Sequence, residues 1–264
     1  STRTKLHEAI PITGTIVSGT YSDLNIKNYS HGIFQSVFDY PFLSSSANHI
    51  LDITLGYASS SVFSGSDRTQ NAQKIQIYNQ MAQVLVGHDA TGSIRNFDED
   101  GNLSSGAKMR ECYFVNFARL LTKDEIQKGT FSLTLGVNPT GNTGDRIDRT
   151  ITITDGSGSN GFKTNSPAGE YGILFVTGNS KTGHGSSLAT DFGANFGAGI
   201  PCGLLYYQAG IAVLTSSIFK AAASGGLLNN QVVGGVGTVF EVGTTQNAGK
   251  IILNSGSNFG MQDI

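Results

Sequence analysis

Gly156-Ser157-Gly158-Ser159-Asn160-Gly161 carries the glycine spacing of a dinucleotide fingerprint, and it follows a predicted strand. Such a loop holds a pyrophosphate only where it opens a helix, whose first amides meet the phosphates. The next residues, FKTNSPAGEYG, contain Pro167 and two glycines and predict no helix, so the segment reads as a turn loop. Asn96-Phe97-Asp98-Glu99-Asp100-Gly101 resembles the first half of a calcium loop, with oxygen donors at alternate positions and glycine sixth. The twelfth position is Ala107, where a bidentate glutamate should close the cation's shell. A solvated hairpin turn between Ile94 and a strand at 112 is the better reading. No Gly-x-Ser-x-Gly elbow occurs, and His7, His31, His49, His88 and His184 stand singly. Cys112 and Cys202 suit buried, reduced thiols rather than a disulfide framework or a zinc site, which needs close pairs. Asp39, Asp52, Asp124 and Glu125 read as caps and turns. The expectation is therefore no enzyme, no catalytic residue, no metal ligand and no cofactor.

The elements that would carry these residues are mostly strands. His49 to Tyr57 (HILDITLGY) alternates Leu51, Ile53 and Leu55 against Asp52 and Thr54, which predicts a half-buried strand. Cys112 to Leu121 predicts a long strand. Thr122 to Glu125 reads as a capping box for a short helix through Lys128, stopped at Gly129. Strands follow at TFSLTLGV (130–137), around Ile147, Ile151 and Ile153, and at YGILFVT (171–177), LLYYQAGIAVL (204–214), VGTVFEV (236–242) and KIILN (250–254). Residues 155–165 and 178–200 read as irregular loops or subunit contacts, because glycine and serine favour turns.

The one long helix predicted spans 67–86, with Ser66 as N-cap and Gly87 as a left-handed C-cap. Ile75, Tyr78, Met81 and Leu85 form a stripe that should be buried within the same chain. Much of the rest of its surface is carboxamide: Gln73, Gln76 and Gln80 with Gln70, Asn71, Asn79 and Gln83. Such a face is either solvated or packed on another subunit, where amides avoid the desolvation cost of charges.

Composition sharpens this. Charged residues make up 14% of 264 and glycine supplies 35 positions, with a formal net charge of −2. An average domain is roughly 25% charged. The balance argues against nucleic acid or an anionic membrane as the main partner. No apolar run is long enough to cross a bilayer as a helix, and the first residues (STRTKLHEAIPITG) lack a signal's apolar stretch. Ser1 in place of Met fits loss of the initiator. Of the charged side chains, 27 fall in residues 1–150 and 9 in 151–264. The later part should be glycine-rich β structure, covered by other subunits, or both.

Three segments carry a resemblance: YSDLNIKNYSHGIFQSVFDYPFLSSSANHILDITLGY (21–57), QNAQKIQIYNQMAQVLVGHDATGSIRNFDEDG (70–101) and ECYFVNFARLLTKDEIQKGTFSLTLG (111–136). SPAGEYGILF (166–175) and GLLYYQAGIAVLTSSIF (203–219) continue it. They are similar to virion structural proteins of contractile-tailed, T-even-like cyanophages and related marine phages. The resemblance implies a structural role in a particle, partners that are other virion proteins and copies of the chain itself, and no catalytic residues. In that group a further β-rich part often follows the region corresponding to Ile264, so this chain is either a shorter member or a fragment.

The expected architecture is mainly β (α+β). It comprises an extended N-terminal arm (1–30), a mixed β region (31–154) holding the helix, and a Gly-rich, low-charge β region (155–264), either separate or continuous with the second. A sandwich-like sheet with long Gly/Ser-rich loops is the form expected. Candidate assembly contacts are Ile10, Ile12 and Ile16 on the arm and Gln73, Gln76 and Gln80 on the helix. The particle's tail or baseplate is the expected place, with a neck or head-associated protein next. A receptor- or carbohydrate-binding tail-fibre module is the main rival, in which exposed Tyr206 and Tyr207 would stack on sugars.

Overall fold

Alternating β-branched, aromatic and small residues favour the pleated backbone, and the segments that carry them pair into one sheet. The computed structural model describes residues 26–29, 33–38, 40–59, 69–103, 108–117, 125–137, 149–156, 161–181 and 200–216. Its strands are β1 (Ile26–Asn28), β2 (Gln35–Phe38), β3 (His49–Tyr57), β4 (Phe97–Asp98), β5 (Lys108–Met109) and β6 (Glu111–Asn116). They continue as β7 (Ser132–Val137), β8 (Arg149–Asp155), β9 (Phe162–Lys163), β10 (Tyr171–Lys181), β11 (Ile200–Tyr206) and β12 (Ile211–Thr215). Helix α1 (Thr69–Leu85) lies between β3 and β4. Ten strands form one curled antiparallel sheet in the order β1-β2-β3-β6-β12-β11-β10-β8-β7, with β9 beside β10. Strands β4 and β5 form a separate ribbon. The fold is mainly β, with one helix among the described residues, as the sequence predicts.

The helix covers one face of the sheet. Ile75, Tyr78 and Leu85 are buried and Met81 is half-buried, so the predicted stripe faces the chain's own core. There Tyr78, Met81 and Leu85 join Phe114 of β6, Val213 of β12, Leu204 and Tyr206 of β11, and Tyr171 of β10, while Ile75 packs with Tyr57 of β3. Tyr78 donates its hydroxyl to the Met109 carbonyl at 2.7 Å and accepts the Phe97 amide at 3.2 Å, which ties the helix to the ribbon. Gly87, at φ +83°, ends the helix as predicted. Ser66 and residues 67–68 lie outside the described residues.

Several expectations need correction. Strand β3 is not half-buried: Ile50, Leu51, Thr54, Leu55 and Tyr57 are all buried. The helix shields one of its faces, and Leu51, Leu55 and Tyr57 of the other are buried together with Tyr113, Leu205 and Leu214 of the neighbouring strands. The segment 204–214 is a hairpin, not one strand, because Gly210 at φ +65° lets residues 207–210 turn between β11 and β12. Strand β10 runs to Lys181, pairing Gly178–Lys181 with Thr152–Arg149, and β9 falls inside the loop predicted at 155–165. Cross-strand pairing there outweighs the turn preference of glycine and serine.

The short helix predicted through Lys128 is absent over residues 125–128, the part of it that is described. A tertiary partner takes a backbone donor inside it, and the residues just after it are held in the same way. Ile126 donates its amide to the Tyr207 carbonyl at 3.0 Å, and the Asp155 carboxylate accepts from Gly129 at 2.5 Å and Phe131 at 3.0 Å. The boundary drawn at 154/155 falls inside β8, and strands from both sides of it share the sheet. The arm drawn over 1–30 ends in structure of this chain's own sheet, since Ile26–Asn28 is β1 paired with β2. Its residues 1–25, the predicted strands at 236–242 and 250–254, and most of the loop 178–200 lie outside the described residues.

Candidate functional site

Gln76, Gln80 and Gln83 are exposed on the outer side of α1, and Gln73 is half-buried. Their spacing of three and four residues puts them in one row, the side opposite the core stripe. Val84 stands beside that row at 65% exposure, so the face is uncharged over this length and includes an apolar position. Ile10, Ile12 and Ile16, the other expected assembly contacts, lie outside the described residues.

The acidic segment 96–101 is a turn leaving β4, as the hairpin reading has it, but it is not simply solvated. Asp98 is fully buried, and the cation it meets is the Lys108 ammonium across the β4–β5 ribbon. Burial raises the Asp98 carboxyl above its ordinary range, whereas a hydrogen bond to Asp98 and the Asn102 amide at 2.9 Å hold Asp100 low. Lys108 also donates to the Asn102 carbonyl at 3.2 Å, so its ammonium sits within the turn. Among the described residues no three His, Cys, Asp or Glu side chains gather as a metal site.

Beside this turn lies an open cavity of about 730 Å³. Arg95, Asp100 and Lys163 contribute its charges, and Ile173, Phe175 and Pro201 its apolar wall. Asn102 and Asn165 add carboxamides. The Asn165 group is held in place: it accepts from the Tyr171 hydroxyl at 2.6 Å and donates to the Gly101 carbonyl at 3.3 Å. Gly101 has φ +70°, and a Cβ there would stand 2.9 Å from Lys163 Cγ. Glycine is therefore required on both counts. Arg95 and Lys163 are half-buried, and neither side chain makes a hydrogen bond or ion pair among the described residues.

The glycine fingerprint has a structural explanation. Gly156 donates its amide to Ile173 at 2.9 Å, and Ile173 donates its amide to Gly161 at 2.8 Å, so β10 clamps both ends of the loop. A Cβ on Gly161 would stand 2.6 Å from the Gly156 carbonyl oxygen, and one on Gly156 would stand 2.7 Å from the Phe175 ring. The glycines allow close backbone approach, and strand β9 follows where a phosphate site would need a helix.

Tyr206 and Tyr207 are both buried, contrary to the sugar-stacking surface of the binding-module reading. Tyr206 lies against Tyr171 with ring centroids 5.0 Å apart, and Tyr207 donates its hydroxyl to Asp155 at 3.0 Å. Their apolar strand context was the sequence signal for that. Cys112 and Cys202 are buried free thiols, and desolvation pushes both well above their ordinary pKa.

One constellation escaped the sequence reading. Strands β2 and β3 bring Ser36, Asp52 and His49 together, with Ser36 donating to Asp52 Oδ1 at 2.5 Å and His49 Nε2 2.7 Å from the same oxygen. A nucleophile relay needs the hydroxyl to donate to the imidazole. Here its proton points to the carboxylate, which suits a cross-strand clamp. The chain matches no family model, no curated protein and no solved structure.

Proposed function

We propose that this chain is a structural subunit of a bacteriophage particle, in the tail or baseplate, working through contacts with copies of itself and with other virion proteins. In this reading it assembles in the host cytoplasm, resides in the virion, and uses no cofactor, nucleic acid or membrane. It has no catalytic activity of its own. The observation that carries the reading is the resemblance of residues 21–57, 70–101, 111–136, 166–175 and 203–219 to virion structural proteins. Those segments include β3, α1, β6 and β12, the frame of the fold. The uncharged row Gln76, Gln80 and Val84 supports it, since charge is depleted at the centres of interfaces. The finer architecture belongs to the same proposal: a sandwich-like body, long Gly/Ser-rich loops, and an N-terminal arm that reaches a neighbour.

A place in the neck or head is the alternative within the class. The tail-fibre binding module is the alternative outside it, and burial of Tyr206 and Tyr207 removes the stacking surface first assigned to it. A density map of intact, purified particles tests the proposal. The chain should be located in the tail or baseplate at a fixed copy number, with the outer row of α1 against a neighbour. Its absence from purified particles overturns the reading.

A further inference from the structure

We infer that the cavity between residues 95–103 and the start of β10 and β11 binds an acidic sugar, a pyranose carrying one carboxylate. Its size, about 730 Å³, falls among ordinary small-molecule sites, which run from about 300 to 1,000 Å³. Arg95 and Lys163 face it, half-buried and making no hydrogen bond or close ion pair among the described residues, although the Arg95 charge also acts on the exposed Asp89 carboxylate outside the lining. A half-buried cation gains most from an anion that brings its own acceptors, and a guanidinium binds a carboxylate through two parallel hydrogen bonds.

The charge balance selects the anion. With Asp100 in the same wall the lining carries two positive charges and one negative, which suits a monoanion. Asp100 is held ionised and would repel a nucleotide's polyphosphate. The apolar wall of Ile173, Phe175 and Pro201 matches the C–H face of a pyranose, which rests on such surfaces while its hydroxyls point away. The Asn165 carboxamide, the Asn102 side chain and the Asp100 carboxylate supply groups of both polarities for those hydroxyls. The wall is preorganised, because Asn165 is fixed by Tyr171 and Gly101, so little ordering is left for binding to drive. This inference does not depend on where the chain sits in a particle.

The test is a titration of the full 264-residue chain with D-galacturonate, galactose and acetate, by calorimetry and ligand-observed NMR. Galacturonate should bind at least ~10-fold more tightly than galactose or acetate, a difference of about 1.4 kcal/mol. Lys163→Gln and Arg95→Gln should each weaken galacturonate about 10-fold and leave galactose unchanged, while Arg95→Lys restores part of the loss. Gln83→Ala, on the far side of α1, should bind as the parent chain does. If Arg95→Gln unfolds the chain, as circular dichroism would show, Lys163→Gln alone decides. Galacturonate binding no tighter than acetate, an acidic peptide competing as well as the sugar, or unchanged affinity in Lys163→Gln overturns the inference.

Discussion

Lys74 lies on the sheet-facing side of α1, buried, with its ammonium 3.4 Å from the Ile33 carbonyl. Burial disfavours its charged form and lowers its pKa from 10.5 to about 8. The unfolded chain therefore holds this proton across the window from 8 to 10.5 while the folded chain releases it. Stability must rise with pH through that window, because the unfolded state binds more protons there. Below about pH 8 both states are charged and the folded state carries the full desolvation cost. Lys74→Met removes the charge and keeps the volume, and the Ile33 carbonyl retains Thr54 as a donor. The variant should be more stable than the parent at pH 7 by about 2 kcal/mol, a gap that closes toward pH 10. Urea unfolding at pH 7, 8.5 and 10 reads it. A gap that stays constant with pH would mean that something other than the ammonium sets the difference.

At the scale of elements, Gly56 is a point of close approach between α1 and β3. A Cβ there would stand 2.8 Å from the backbone nitrogen of Tyr78 and 3.1 Å from the Phe114 ring. The first of these is helix backbone, which cannot step aside without lifting Tyr78 from its bond to Met109. Gly56→Ala should therefore destabilise by about 2 kcal/mol, typical of overpacking, and lower Tm by ~4–8 °C. An unchanged melting curve would show that the helix slides freely on the sheet. The helix itself was legible because Ile75, Tyr78 and Leu85 repeat at helical spacing, and β3 because Leu51, Ile53 and Leu55 alternate. The neighbour order β3-β6-β12 was not, since it joins Ile53 to Val115 and Val115 to Ala212 across long stretches of chain. Periodicity is local, and nothing in an alternating strand names its partner. The same limit hid the cavity. Arg95, Lys163 and Phe175 each read as ordinary loop or strand residues, and only the turn at Asp98–Gly101 drew notice. Likewise the segment 125–128 has a helix's local signals, but Tyr207 takes the Ile126 amide and Asp155 holds Gly129 and Phe131 just beyond it, both from far along the chain.

At the scale of the whole molecule the sheet has two ends, β1 and β7, each with a single bonded neighbour among the described residues. An open strand edge presents a row of backbone donors and acceptors that another extended segment can join. The N-terminal residues have the composition for such a role. Ile10, Ile12 and Ile16 alternate with small or polar residues, and Pro11 and Gly14 keep the stretch from folding on itself as a helix. Strand addition to a neighbouring subunit uses main-chain hydrogen bonds for affinity and side-chain pockets for register, and a segment that orders on binding loses its entropy only at that step. The core described above packs Tyr78, Phe114, Tyr171, Tyr206 and Val213 on one another. Deleting residues 1–19 should leave a chain that is folded and monodisperse, with an unfolding midpoint near that of the parent, yet no longer incorporated when particles are assembled around it. Parallel measurement of the melting curve and of the protein content of purified particles separates the two effects. A truncated chain that unfolds or aggregates by itself would place the arm in its own sheet, at the β1 or β7 edge, and end its assignment as a link between subunits.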